Sequence, residues 1–412
     1  MYDLCTHKPL LLLLTNPGLE ESLLIESKKA YNSFWQLQAS GCVPIFHKNN
    51  IDVFKTLLRI RGANRYILVI NALYISSNII TKDVMRQLAR ETSSSFEFFA
   101  ESFIGKYDKI AFRGIRRERK DLWKNEKVRH EITSVDIARI IAEEYLKEMD
   151  IEVDLRSPTI SILALLFGNL LIIGWDLLGD ANKLRKYRSY LHPAGLRPTA
   201  ATNMFYIDKK DDIDYSIIYD PMCGAGTIPL EVMSIIHGVS ILAEAGLEIV
   251  AHLGHKLLND DKLAVNLVRE HIKCETEYTI MGSDISPKYV RWSIENLRAY
   301  LRYMKNYWNA EFRPNIKFFC RDILSKEPEE FADIILVNPP YGIRSSRPKA
   351  LPMIYRKLAE FSAATGSSLF KAYTVRKDVM IKAVEALWRL RKVYPCYLES
   401  LRAFLITCEH LR

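Results

Sequence analysis

The run Ser216-Ile217-Ile218-Tyr219-Asp220-Pro221-Met222-Cys223-Gly224-Ala225-Gly226-Thr227 decides the fold class. A strand over Ser216 to Tyr219 ends in a glycine turn, and a helix starts directly afterwards at Ile228-Pro229-Leu230-Glu231. Glycines at that position let the backbone pass close beneath a ligand at the carboxyl end of a strand, where open α/β sheets bind their ligands. Outward from this run, strand and helix alternate to the C-terminus. Further strands are predicted at Tyr278 to Gly282, Ile316 to Cys320 and Asp333 to Val337. That alternation predicts a doubly wound parallel sheet. A lone GxG is a weak signal, because structural glycine turns are common at strand ends. The third glycine of a dinucleotide fingerprint and the lysine of a phosphate-binding P-loop are both missing, so NAD and ATP phosphate binding are disfavoured.

The other strand ends carry chemistry. The second ends Met281-Gly282-Ser283-Asp284-Ile285-Ser286-Pro287, where an acidic side chain can accept hydrogen bonds from both hydroxyls of a ribose or cap the following helix. After the third, Asp322 in Phe319-Cys320-Arg321-Asp322-Ile323 can receive an adenine amino group, or can be a solvent-facing turn residue. The fourth runs into Asn338-Pro339-Pro340-Tyr341-Gly342. Two prolines there fix the backbone, remove two N–H donors and leave carbonyls pointing outward. The lone pair of an exocyclic amine is conjugated with its ring, so the amine is a poor nucleophile until its hydrogens are held out of plane. The Asn338 oxygen and the Pro339 carbonyl can accept those two hydrogens while Tyr341 stacks on a flipped base. A rigid structural turn is the plain alternative.

The 412 residues exceed one ordinary domain, and Lys plus Arg outnumber Asp plus Glu by 58 − 49 = 9, which suits a polyanionic partner. The seven cysteines, Cys5, Cys42, Cys223, Cys274, Cys320, Cys396 and Cys408, are scattered and never spaced as CxxC. That pattern points to a reducing compartment and away from a zinc ribbon. The apolar run Leu10 to Leu14 stops at a turn and reads as a strand. Ile160 to Trp175 is split by Gly168-Asn169 and reads as a hairpin of buried strands, so no membrane span is expected.

Ahead of the glycine turn, strand and helix (Glu20 to Gln38), a strand near Val43 to Phe46 and a helix from Asp52 to Arg59 form a small α+β unit. A strand over Tyr66 to Ile70 and helices over Lys82 to Arg90 and Val135 to Met149 follow, the last preceded by a capping box at Thr133 and Asp136. Between them lies a basic run, Arg113 to Arg129, containing Arg116, Arg117, Arg119 and Lys120 with Phe112 and Trp123 interleaved. It can be a solvated loop, or it can contact phosphates and stack on unpaired bases.

The two motif segments together resemble the Rossmann-fold class I methyltransferases that use S-adenosylmethionine, in the branch that modifies the N2 amine of guanosine in RNA. The front half is similar to that branch's ferredoxin-like plus THUMP module in Thr15-Asn16-Pro17-Gly18-Leu19-Glu20, Glu101-Ser102-Phe103, Thr133-Ser134-Val135-Asp136 and Val153-Asp154-Leu155. His192-Pro193-Ala194-Gly195-Leu196-Arg197-Pro198-Thr199-Ala200-Ala201 is similar to the segment that opens its catalytic domain. The resemblance extends to archaeal tRNA enzymes acting on guanosine 6 and to bacterial enzymes acting on large-subunit ribosomal RNA.

It implies an α/β fold with a ferredoxin-like domain over 1–62, a THUMP domain over 63–179, a linker over 180–198 and a Rossmann-fold methyltransferase domain over 199–412. It implies Asn338, Pro339, Pro340 and Tyr341 as catalytic residues. For S-adenosylmethionine it implies Asp220, Pro221, Cys223, Gly224, Gly226, Thr227, Asp284, Ile285, Asp322, Ile323, Asn338 and Thr199. Arg113, Arg116, Arg117, Arg119, Lys120 and Arg344 are the residues expected to meet RNA. A cytoplasmic monomer acting on tRNA, with the THUMP module on the 3′ end and without membrane or metal, is the expectation. A 23S rRNA substrate, an adenine N6 target and a catalytically idle RNA-binding protein remain as alternatives. Methyl transfer is expected to be direct, with neither Cys223 nor Cys320 as a nucleophile. Two departures stand out. The long gap from Asp220 to Asp284 implies a helical insertion around Ala243 to Cys274, and Tyr394-Pro395-Cys396-Tyr397 replaces a Tyr-Asn-Gly turn, leaving the last strands open.

Overall fold

The computed structural model describes residues 2–3, 8–27, 41–117, 129–208, 215–325, 327–342 and 348–411. Its first half contains strands β1 (Tyr2–Asp3), β2 (Leu10–Leu14), β3 (Cys42–Phe46), β4 (Arg65–Tyr74), β5 (Ile79–Ile80), β6 (Ile110–Arg117), β7 (Arg129–His130), β8 (Ile160–Phe167) and β9 (Leu170–Asp176). Among the described residues, five helices accompany them: α1 (Glu20–Ser27), α2 (Asn50–Arg59), α3 (Lys82–Glu91), α4 (Ser93–Phe103) and α5 (Ser134–Tyr145). The sheet order is β3-β2-β4-β9-β8-β6, with β1 on β4 and a separate β5–β7 pair.

Local signals explain much of this half. Five consecutive leucines make β2 because the strand is buried on both faces: Leu11 and Leu13 enter the main core, while Leu10, Leu12 and Leu14 enter a smaller cluster behind the sheet. The capping box at α5 is present in full, Thr133 Oγ1 accepting from the Asp136 N–H and Asp136 accepting from the Thr133 N–H. Gly168 in the left-handed region turns the β8–β9 hairpin. β4 pairs with β2 on one side and β9 on the other, so strands from 1–62 and 63–179 share one sheet.

The second half holds strands β10 (Ile217–Asp220), β11 (Thr279–Asp284), β12 (Asn315–Cys320), β13 (Ile334–Val337), β14 (Leu369–Thr374), β15 (Trp388–Leu398) and β16 (Leu401–His410). Its helices are α6 (Pro198–Tyr206), α7 (Thr227–Ile236), α8 (Ile241–Ala245), α9 (Leu247–Leu258), α10 (Asp261–His271), α11 (Pro287–Trp308), α12 (Leu351–Ala364) and α13 (Lys377–Val384). The sheet order is β12-β11-β10-β13-β14-β16-β15, parallel from β12 to β14 and closed by an antiparallel hairpin. Ile334 and Leu336 of β13 face one core cluster and Ile335 and Val337 the other, as a central strand covered on both faces requires. Helices α8, α9 and α10 occupy the expected insertion. The expected helix over Glu20 to Gln38 is seen through Ser27, and 28–38 lie outside the described residues. The long hairpin β15–β16 was not foreseen.

The halves are locked together. Arg61 at the end of the first α/β unit is buried against Glu231 at 3.0 Å and Glu244 at 2.7 Å, and Arg185 of the connector meets Glu231 at 3.0 Å. Tyr187, Thr202 and Tyr300 donate their hydroxyls to the same two carboxylates. Burial alone would raise the Glu231 pKa, but Arg185 and Arg61 hold it down at about 2. At the opposite contact Gly18 sits at φ +90°, and a Cβ there would lie 2.0 Å from the Pro395 carbonyl oxygen, so only glycine fits against the hairpin. Among the described residues no helix is long and apolar enough to cross a membrane.

Candidate active site

Strand order reverses between β10 and β13, and the crevice beyond the carboxyl ends of two such strands is where open α/β sheets take ligands. Asp220 ends β10 and Asn338 follows β13, so both motif segments flank that crevice. A cavity of about 520 Å³ opens there.

Its floor is the glycine turn. Gly224 and Gly226 both lie in the left-handed region, at φ +55° and +86°, where side chains are strained. The turn is pinned from two sides. The Cys223 N–H donates to the Ser283 carbonyl at 2.8 Å, and Ser293 and Asn296 of α11 donate to the Gly224 and Ala225 carbonyls at 2.8 and 2.9 Å. Asp284 braces it as well: Oδ2 accepts the Gly224 N–H at 3.0 Å and Oδ1 the Ser286 N–H at 2.9 Å. Each oxygen keeps a further lone pair, so these two contacts leave room for the ribose hydroxyls expected from the sequence.

Asp220 is 2% exposed and accepts the Met222 N–H at 3.0 Å. Burial raises its pKa well above the ordinary range, and the charge of Asp284 adds to the rise. Among the described residues neither carboxylate has an ion-pair partner. This set fits S-adenosylmethionine, whose sulfonium and ammonium would supply the missing positive charge, with Ile285 lining the cavity beside Asp284. Cys223 also lines the cavity. Burial, then Asp220 and Asp284, push its thiol well above its usual pKa, so it stays protonated and a poor nucleophile.

The upper wall is the Asn338 turn. Tyr341 donates its hydroxyl to Asn338 Oδ1, and Tyr355 donates to the Pro340 carbonyl at 3.0 Å. Asn338, Pro339, Pro340 and Tyr341 all line the cavity, with Asp220, Cys223, Gly224, Thr227, Asp284 and Ile285. Pro221 and Gly226 belong to the turn but not to the cavity wall.

Three expected cofactor contacts lie elsewhere. Thr199 is fully buried and bonded to Asn64 and Asn182, in a network joining the first sheet to the connector. Ile323 is a core residue, and Asp322 caps its own turn through the Leu324 N–H. The cavity also takes residues the motifs did not indicate: Asn16 from the loop after β2, His192 to Arg197 before α6, Tyr289 of α11, and Leu398 to Leu401 at the β15–β16 turn. Burial lowers the His192 pKa, partly offset by Asp284, and its ring lies edge-on to Tyr289 at 4.2 Å. Arg197 pairs with Glu399 at 2.6 Å across the cavity wall. The segment from His192 was visible through its resemblance alone. Asn16 was read only as part of the front-half resemblance, and nothing local marks the hairpin tip.

The basic run is a strand where it is described. Alternation along β6 turns Phe112 into the core, 5.7 Å from the Phe96 ring, so it is not the base-stacking residue expected. Arg113 points outward and reaches Ser161 and the Leu155 carbonyl, while Arg116 donates to the Ile132 carbonyl at 2.9 Å. Arg117 lies in the strand. Arg119, Lys120, Trp123 and Arg344 lie outside the described residues.

Residues 185–396 match the family model described as RMKL-like, methyltransferase domain. The chain is 32% identical over 240 residues to the tRNA (guanine(6)-N2)-methyltransferase of Methanocaldococcus jannaschii, covering 55% of this chain and 58% of that one. It is 30% identical over 239 residues to the protein of the same name from Archaeoglobus fulgidus, covering 56% and 53%. The chain therefore spans about half the length of these relatives. Among solved structures, a possible methylase from Clostridium difficile 630 superposes with a TM-score of 0.72 at 18% identity over 98% of both chains, a likeness of fold. With its glycine turn and Asn-Pro-Pro-Tyr segment meeting at one switch point, the chain belongs to the RMKL-like methyltransferase domain family.

Proposed function

We propose that this protein methylates the exocyclic N2 amine of a guanosine in tRNA, at position 6 in the acceptor stem. The observation that carries the reading is the meeting of the glycine turn, Asp284 and the Asn338-Pro339-Pro340-Tyr341 turn around one cavity. The names of the two archaeal relatives support guanosine N2 and tRNA as the target. S-adenosylmethionine, when bound, supplies a methyl group made electrophilic by its sulfonium.

The chain's own residues then do the positioning. Asn338 Oδ1 and the Pro339 carbonyl accept the two amine hydrogens and turn the nitrogen lone pair toward the methyl group. Tyr341 steadies Asn338 through its hydroxyl and leaves the amide oxygen a second lone pair. Asp284 would hold the ribose, and Asp220 would balance the positive charge of the cofactor. No side chain is required as a base, since the amine loses its proton after alkylation. Residues 1–62 and 63–179 serve as a ferredoxin-like and THUMP pair that grips the tRNA 3′ end and sets the distance to the pocket.

The test is incubation of the protein with an unmodified tRNA transcript and labelled S-adenosylmethionine, followed by nucleoside mass spectrometry. N2-methylguanosine is expected, and N6-methyladenosine would overturn the guanosine assignment. Trimming the terminal CCA should sharply lower kcat/KM; equal activity on trimmed tRNA would refute the distance argument.

A further inference from the structure

A second cleft, about 500 Å³, lies beside the first and is lined by Val375, Arg376, Lys377, Asp378, Arg402 and Phe404. Its place follows from the sheet. β14 is the parallel neighbour of β13, so the end of β14 lies one strand spacing, about 4.8 Å, from the strand that leads into Asn338. Tyr355 ties the two ends together, donating to the Pro340 carbonyl and lying 3.1 Å from Thr374 Oγ1, which in turn accepts the Arg376 N–H. On the other side, the β15–β16 turn that lines the main cavity continues directly into Arg402 and Phe404.

The charge of this cleft is one-sided. Three cations face one carboxylate, a balance of 3 − 1 = +2, and among the described residues Asp378 approaches only Lys377, at 3.8 Å. Among the described residues Arg376 and Arg402 have no ion-pair partner, whereas Arg197, Arg321, Arg389 and Arg391 are each paired. Lys377 and Arg402 both lie over the Phe404 ring, 5.7 and 5.9 Å from its centroid, so an apolar platform holds the two cations at the cleft. The main cavity differs: among the described residues its Asp220 and Asp284 have no ion-pair partner, and its one arginine, Arg197, is paired with Glu399. A nucleotide that delivers its base to the Asn338 turn leaves its phosphates outside that cavity. The adjoining basic cleft is where they can go.

We infer that the cleft formed by Arg376, Lys377, Arg402 and Phe404 binds the phosphodiester backbone of the RNA strand next to the target nucleotide. This rests on the RNA reading proposed above. The two arginines are exposed at the end of a strand and after a turn, so neutral replacements leave the core untouched. In the full chain, with an unmodified tRNA transcript as probe, Arg376→Gln with Arg402→Gln should lower the logarithmic salt slope of binding by roughly 1.4 to 1.8, about 0.7 to 0.9 per phosphate contact. KM for tRNA should rise about tenfold or more, on the scale of two lost charge-assisted contacts. S-adenosylhomocysteine affinity and Tm should not change.

Two further variants separate binding from damage. Arg402→Lys should keep the slope, and Asp378→Asn should tighten tRNA binding, a gain that loss of folding cannot produce. An unchanged slope in the double variant, with wild-type protein still methylating tRNA, would overturn the cleft assignment and leave the RNA reading standing. Failure of the wild-type protein to methylate tRNA or 23S rRNA fragments would remove the RNA reading, and this inference with it.

Discussion

Asp284→Ala is the substitution that most directly tests the cofactor geometry. The carboxylate makes two hydrogen bonds inside the protein, one from each oxygen, at 3.0 Å to the Gly224 N–H and 2.9 Å to the Ser286 N–H. The outward lone pairs remain for the ribose. Hydrogen bonds to a charged group contribute about 1.5 to 3 kcal/mol. Loss of the ribose contact should therefore weaken S-adenosylhomocysteine binding by roughly tenfold to roughly a hundredfold, at about 1.4 kcal/mol per decade. Asp284 is half-buried, which favours the lower end of that range. The glycine turn also loses a brace, so Tm should fall by a few degrees, while Ser293 and Asn296 still hold the turn. Asp284→Asn should fall between the two proteins, because its single amide oxygen can replace only one of the two acceptors. Calorimetry with S-adenosylhomocysteine, run beside a tRNA-binding titration, is the assay. Unchanged nucleoside affinity would remove Asp284 from the site. An equal loss of tRNA affinity would show instead that the turn had collapsed.

The opposite partition is expected for Asn338→Ala, with nucleoside affinity kept and single-turnover methylation reduced on the order of a hundredfold; near-normal chemistry would mean another group holds the amine. Glu231→Ala should destabilise the protein by about 3 to 5 kcal/mol, because it leaves Arg61 and Arg185 buried with half their counter-charge, and denaturant unfolding reads the change. Glu26 offers a pH test. Burial raises its pKa from 4.5 to about 7 against the N–H groups of Gly62 and Arg61, so its contribution to stability is present below about pH 4.5 and lost as pH rises through 7. The rise corresponds to a stability change on the order of 3 kcal/mol, visible as the difference between the pH–stability curves of wild type and Glu26→Gln. Parallel curves would refute the assignment.

What the amino-acid sequence determined by itself is what depends on neighbours along the chain. The Gly224 turn, the Pro339-Pro340 turn, the Thr133–Asp136 capping box and the Gly168-Asn169 hairpin are local conformations set by local residue types, and each is where it was read. The double-sided burial of β13 was likewise legible as an unbroken apolar run. Tertiary structure alone decided which distant atoms share the cavity. Asn16 and Leu398 to Leu401 reach it because β2 and the β15–β16 hairpin pack together around Gly18, a contact between segments nearly four hundred residues apart. Thr199 shows the converse: it lies in the segment that opens the catalytic domain, yet the docking of the first sheet turns its hydroxyl to Asn64 and Asn182. Phe112 reads as a stacking residue in a basic run and becomes core once β6 pairs with β8. Arg61, Arg185, Glu231 and Glu244 look like ordinary surface charges in one dimension. Their pairing is possible only where folding removes all four from water together, and no spacing along the chain records it.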